Sequence, residues 1–225
     1  MSSTQSFARA RRPEHKQQRR EAILAAARDL AQREGVQGVT LAAVAAAVGL
    51  AKSNVLRYFG TREEIYLALT AQEWQGWTEE ITARLEGFAA GPAGLAELSA
   101  VLAGSLVSRP LFCDLQSVLA TSLEQNVGLE AARGYKRAAV GSLDQAGRLI
   151  AARSELTPTE GFELAAAAAT FAGMLWPVAH PPAVLRALYE EEPELARACP
   201  PFRPTLERLI HGLAEGLPRL RPARR

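Results

Sequence analysis

Apolar residues recur every three to four positions along almost the whole chain, and no stretch alternates with a period of two. β-branched residues are sparse beside Ala and Leu. The pattern predicts an all-α protein. A first amphipathic helix is expected from about Gln18 to Glu34, with Ile23, Leu24, Ala27, Leu30 and Ala31 on one face. Gly35 is a natural C-terminal stop. Val39 and Thr40 open a short second helix with Leu41, Val44, Ala45 and Val48 inward, and the Thr40 hydroxyl is placed to cap it. Gly49 ends that helix. Only Leu50 and Ala51 precede a third segment, Lys52 to Phe59, which Gly60 closes. Thr61 and Glu64 have the spacing of a capping box for a long fourth helix. Trp74, Trp77, Ile81, Leu85 and Phe88 form a stripe along it, ending before Gly91-Pro92.

The remainder reads as a helical bundle, with helices near 93–108, 111–126, 129–153, 159–179, 183–191 and 204–217. Proline-containing breaks separate several of them, at Arg109-Pro110, Thr157-Pro158, Pro181-Pro182, Pro193 and Pro200-Pro201. The pattern divides the chain into a flexible basic arm (1–16), an N-terminal helical domain (17–70), a larger helical domain (71–217) and a basic, frayed tail (218–225). The apolar stretch from Leu164 to Ala179 falls short of the ~20 residues of a membrane span and predicts a buried helix.

Charge sharpens this division. Residues 1–62 carry 11 Lys and Arg against 4 Asp and Glu, whereas the rest carries 15 against 20. A basic front and an acidic back suggest that only the front meets a polyanion. Cys113 and Cys199 lie far apart, and the chain opens on polar and basic residues, so a reduced, cytoplasmic setting is expected. His15, His180 and His211 stand at no metal-ligand spacing, and no structural metal is expected. Phosphate loops, dinucleotide glycine motifs and nucleophile elbows are missing from the pattern, which gives no reason to expect a cofactor or an enzyme. Glu190, Glu191, Glu192 and Glu194 read as a solvated face.

The chemistry lies in the third segment. Val55 and Phe59 are expected to face inward with Leu56 beside them, leaving Ser53, Asn54, Arg57 and Tyr58 outward. That outward set has no carboxylate. Arg pairs with guanine and Asn with adenine, while hydroxyl and phenol groups reach bases or phosphate, as a helix in a major groove requires. Thr40, Lys52 and Arg62 flank it, each at the start of a helix, where they would position the backbone of a duplex rather than read it. Arg9, Arg11 and Arg12 would either enter an adjacent minor groove or add only non-specific attraction.

With these residues in view, Arg19 to Leu69 resembles the N-terminal domain of the TetR family of regulators. The resemblance lies in Ile23-Leu24-x-x-Ala27, Gly35, Val39-Thr40-Leu41-x-x-Val44-Ala45, Val48-Gly49-Leu50-Ala51-Lys52, Tyr58-Phe59 and Thr61-Arg62-Glu63-Glu64-Ile65. It implies a helix-turn-helix at about Thr40–Phe59, with Ser53, Asn54 and Arg57 at base edges and Thr40, Lys52, Tyr58 and Arg62 on the DNA backbone. Three positions depart from the pattern: Ala51 replaces a capping Ser or Thr, Leu56 a common Tyr, and Gly60 a frequent Pro.

The resemblance also implies a ligand-responsive repressor that binds a palindromic operator as a homodimer. Small residues Ala165 to Ala169, Ala172 and Gly173, and the stripe Leu206, Leu209, Ile210, Leu213 and Leu217, are expected to serve the dimer. Trp77, Phe112, Cys113, Tyr135, Trp176 and His180 are expected to line a pocket for an apolar or amphipathic small molecule. The competing expectation is an all-helical small-molecule-binding protein or enzyme with no DNA role.

Overall fold

The computed structural model describes residues 4–87 and 94–221, with side chains from Glu14 onward in the first helix. The side chains of Arg9, Arg11 and Arg12, together with Phe88 and the Gly91-Pro92 break, lie outside the described residues. Ten α-helices are described: α1 (Thr4–Glu34), α2 (Leu41–Ala47), α3 (Lys52–Val55), α4 (Arg62–Glu86), α5 (Leu95–Val107), α6 (Pro110–Val118), α7 (Leu129–Arg153), α8 (Pro158–Ala179), α9 (Ala183–Glu191) and α10 (Phe202–Gly216). A π-helical turn, Leu119–Leu123, extends α6, and 3-10 turns occupy Pro193–Ala198 and Leu217–Leu220. No strand occurs among the described residues.

Helix α1 starts at Thr4, well before the expected Gln18, so the segment read as a flexible arm continues the helix. Arg, Gln, Glu and Lys have good helix propensity, and apolar periodicity cannot locate the start of a helix that has no apolar face there. The two glycine stops behave as expected: Gly35 (φ 74°) and Gly49 (φ 64°) both adopt the left-handed conformation. Ile23, Ala27, Val44, Val55 and Ile65 are fully buried and close the small N-terminal core.

In the larger domain α4 packs along α7, α7 along α8, α8 against α6, and α10 against α5 and α8. Helix α8 is long and apolar enough, by length and composition, to cross a membrane. Here its small residues serve contacts within the chain. A Cβ on Gly161 would lie 2.5 Å from the Gly147 carbonyl oxygen of α7, and one on Gly173 would lie 2.7 Å from Cβ of Gln116 in α6. Ala165, Ala168, Ala169 and Ala172 are buried in the same seams. For Ala165, Ala168, Ala169, Ala172 and Gly173 the expectation of a surface for a second copy is therefore corrected, since neighbouring helices of the same chain already occupy it; Ala166 and Ala167 are half-buried. The exposed side of α8 carries Thr170, Met174 and Val178 instead.

The tail is also fastened where fraying was expected. Arg221 donates from Nε to Glu160 Oε1 at 2.6 Å and from Nη2 to Oε2 at 2.5 Å. Glu160 also completes a capping box with Thr157 at the start of α8. These partners, Arg221 first, hold its carboxyl at about 2. Residues 222–225 of the expected tail lie outside the described residues.

Two outcomes follow. The unfolded-state value for Glu160 is about 4.3, so its pairing stabilises the fold above that pH and the benefit fades as pH falls through about 2. Thermal melts of Glu160→Gln should lie below those of the parent at pH 7, with the gap closing toward pH 2; a constant gap would contradict the pairing. Gly161→Ala should cost about 1–3 kcal/mol in urea unfolding through overpacking. In contrast, Gly141→Ala on α7, where a Cβ meets nothing within 4 Å, should stabilise by about 0.5–1 kcal/mol.

Candidate nucleic-acid interface

The short helices α2 and α3 are held by local hydrogen bonds and a shared core. Thr40 adopts an extended conformation, and its hydroxyl accepts from the Ala43 N–H at 3.1 Å, capping α2. Helix α3 has no side-chain cap at Ala51, as that residue predicts. Its α-helical part is Lys52–Val55, shorter than the expected Lys52–Phe59. The chain then tightens: Arg57 N–H bonds to Asn54 O and Tyr58 N–H to Val55 O, three residues back. Val55 and Phe59 are buried and anchor the segment inward, each contributing about 1.5–3 kcal/mol of apolar transfer energy. Leu56 departs from its expected inward place and is 39% exposed.

Lys52, Ser53, Asn54 and Arg57 are all exposed, and Tyr58 is half-buried. Lys16 of α1, Leu50, Asn54, Arg57 and Tyr58 line a notch of about 460 Å³. Two cations, an amide and a phenol therefore converge with no carboxylate among the lining residues. Sequence reasoning assigned Lys16 to the arm and missed this convergence, because the length of α1 was not legible. Arg20, one turn further along α1, lies 4.0 Å over the Phe59 ring and donates to the Tyr58 carbonyl at 3.2 Å, fixing the end of the segment.

Arg62 does not sit as expected. Its Nε donates to Val39 O at 2.6 Å, its Nη2 to Val36 O, and its Nη1 pairs with Glu63 at 3.2 Å. The guanidinium also lies 4.7 Å over the Tyr66 ring. It ties the α1–α2 turn to α4 instead of facing outward with Lys52 and Arg57. From the opposite side, Asp114 of α6 accepts from the Val36 N–H at 2.7 Å. Burial pushes the Asp114 carboxyl above its ordinary value, partly offset by that bond.

Two further ties join the N-terminal helices to the larger domain. Glu64 accepts from the Gly60 N–H at 2.7 Å and from the Gly128 N–H at 3.0 Å, while Thr61 donates to Asn126 O at 2.9 Å. Only half of the expected capping box forms: the Thr61 hydroxyl accepts from Glu64 N–H, but the Glu64 carboxylate reaches Gly60 and Gly128. Buried Glu73 lies between Arg28 of α1 and Arg109, and Arg109 also donates to Glu80 at 2.7 Å and to Gly76 O at 2.6 Å. None of these ties was predicted, since each joins residues far apart in the chain.

The six expected pocket residues fall in different places. Trp77, Phe112 and Cys113 are fully buried core. Trp77 donates to Ser105 at 2.8 Å, Trp74 packs edge-on against both rings, and burial pushes the Cys113 thiol up to about 12. Tyr135 lines a cleft of about 480 Å³ between α1, α4 and α7, whose walls include Leu24, Glu64 and Leu67. Trp176 lines a separate cleft of about 430 Å³ with Gly35, Leu111 and Asp114. His180 is exposed and stacked on Trp176, ring centroids 3.8 Å apart. The apolar periodicity marked inward residues correctly, but it cannot tell a filled volume from an empty one. No group of three or more His, Cys, Asp or Glu able to hold a metal occurs among the described residues.

Comparison with known proteins bears on both domains. Residues 23–69 match the model described as bacterial regulatory proteins of the tetR family, and residues 71–219 match the tetracyclin repressor-like C-terminal domain. The HTH-type transcriptional regulator RutR of Escherichia coli K12 is 35% identical over 71 residues, 32% of this chain. That match spans about a third of RutR, 34% of its length. Among solved structures, Thermus thermophilus FadR in complex with lauroyl-CoA superposes with TM-score 0.53 at 19% identity, covering 92% of this chain and 96% of that one. The multidrug binding protein EbrR complexed with imidazole gives TM-score 0.54 at 21% identity, covering 92% and 97%. At these identities the structures show the shared fold. With both of its domains matched, the chain belongs to the TetR family of bacterial regulatory proteins.

Proposed function

We propose that the protein is a cytoplasmic, ligand-responsive repressor that binds a palindromic operator as a homodimer. The observation that carries this reading is the surface around α3, where Lys52, Ser53, Asn54 and Arg57 stand exposed beside the Lys16–Tyr58 notch. Such a surface suits a polyanion whose base edges offer hydrogen-bond partners. Ser53, Asn54 and Arg57 take the base edges. Lys16, Thr40, Lys52 and Tyr58 take the phosphates. Arg62 acts through the α1–α2 turn it holds.

A single short helix reads few base pairs, so specificity calls for two copies about one helical turn apart, ~34–36 Å. Exposed Met174 and Val178 on α8, and exposed Leu209 with half-buried Leu213 one turn on in α10, are the apolar groups available for that pairing. The effector reading rests on the two clefts at the junction of the domains. One adjoins Glu64 and the other Asp114, both of which bond to backbone near the helix-turn-helix. The lauroyl-CoA and imidazole complexes among the structural neighbours support a small-molecule effector. A compound with an apolar body and a polar end suits clefts of this mixed lining.

Binding to the promoter region upstream of its own gene, measured across a salt series, tests this. Preference over random duplex with a steep salt slope is expected, and equal binding to both at physiological salt overturns the reading. Arg57→Ala should lose about 1–3 kcal/mol on the operator and relax preference at one position per half-site. Lys16→Ala should weaken binding to all sequences and reduce the salt slope by about one. Arg62→Ala should lower the melting temperature and leave the salt slope unchanged.

A further inference from the structure

The geometry points to Leu56 as a reader of the thymine methyl group in each operator half-site. This rests on the DNA-binding reading above and extends it to a residue with no hydrogen-bonding group. Leu56 is 39% exposed, whereas Val55 before it and Phe59 after it are buried. Its N–H bonds to Lys52 O at 3.1 Å, which places it one helical turn beyond Lys52 and Ser53. Arg57 follows directly. Leu56 is therefore an exposed apolar side chain in the same short segment as Lys52, Ser53, Asn54 and Arg57, all of them exposed.

A lone exposed leucine on a protein surface needs no explanation. Its surroundings single this one out. A protein-docking patch requires contiguous apolar area, but the other exposed side chains of Lys52–Arg57 are ammonium, hydroxyl, amide and guanidinium. In the major groove the C5-methyl of thymine is the distinctive apolar group that a base pair displays, and aliphatic side chains read it by contact. A sugar C–H face would be contacted whatever the base, so loss of the thymine methyl alone distinguishes the two. Removing one methyl from such a contact corresponds to about a fourfold loss in affinity per half-site, or about fifteenfold when both half-sites are altered.

The test replaces each thymine of the operator by uracil, symmetrically in both half-sites and one position at a time. Uracil keeps every hydrogen bond and lacks the methyl. The full-length parent protein should lose about fifteenfold in affinity at one thymine position and little at the others. Leu56→Ala, whose exposed site keeps the fold intact by thermal melt, should bind the thymine and uracil operators within twofold of one another at that position. A parent protein that prefers the operator over random duplex yet ignores every uracil substitution overturns the assignment while leaving the DNA-binding reading in place. Discrimination that persists in Leu56→Ala also overturns it, as does an equal loss by that variant on both operators with the preference retained. Absence of any operator preference overturns both readings together.

Discussion

The backbone of the α1–α2 turn is gripped from two sides, and the placement of the helix-turn-helix depends on that grip. Arg62 takes the Val36 and Val39 carbonyls, while Asp114 takes the Val36 N–H. Charge-assisted hydrogen bonds of this kind are roughly twice as strong as neutral ones. The turn they hold leads directly into Thr40 and α2. Asp114 belongs to the larger domain and Arg62 to the helix that both domains share, so the orientation of α2 and α3 is set largely by residues outside the motif. A helix-turn-helix is too small to fix its own attitude, and this one is built into its neighbours.

The same logic recurs at Glu73. A buried carboxylate alone would be costly, but Arg28 and Arg109 flank it on two sides. Removing one partner of such a cluster leaves charge buried and uncompensated. The cluster joins α1, α4 and the start of α6. Together with Glu64, which spans Gly60 and Gly128, and with Asp114, it places three acidic residues at the domain junction, each bonded across it.

What the sequence revealed follows the range of the interactions involved. The stops at Gly35 and Gly49, the Thr40 cap and the missing cap at Ala51 are local, and each was legible. The start of α1 was not, because a polar helix carries no periodic signal. Leu56 follows buried Val55 in a regular helical turn, its N–H bonded to Lys52 O, and so lies about 100° round from Val55 and partly in solvent instead of inward beside it. Arg62 was assigned outward by analogy of position; carbonyls 23 and 26 residues earlier in the chain draw it in. The small residues of α8 promised a close neighbour, and one exists, but composition could not say that it belongs to the same chain. The pocket residues were dispersed for a related reason, since side-chain shape in three dimensions decides which inward groups leave space between them.

The aromatic arrangement has an optical consequence. Trp74 and Trp77 sit in the core beside Phe112, while Trp176 is half-buried with His180 stacked on its indole ring. The three indoles thus divide into a shielded pair and one partly accessible ring, held against an imidazole beside the α1–α6 junction. An aqueous quencher reaches the third preferentially. The emission of this protein therefore carries a component that reports on the wall of the Asp114 cleft, without any label being attached.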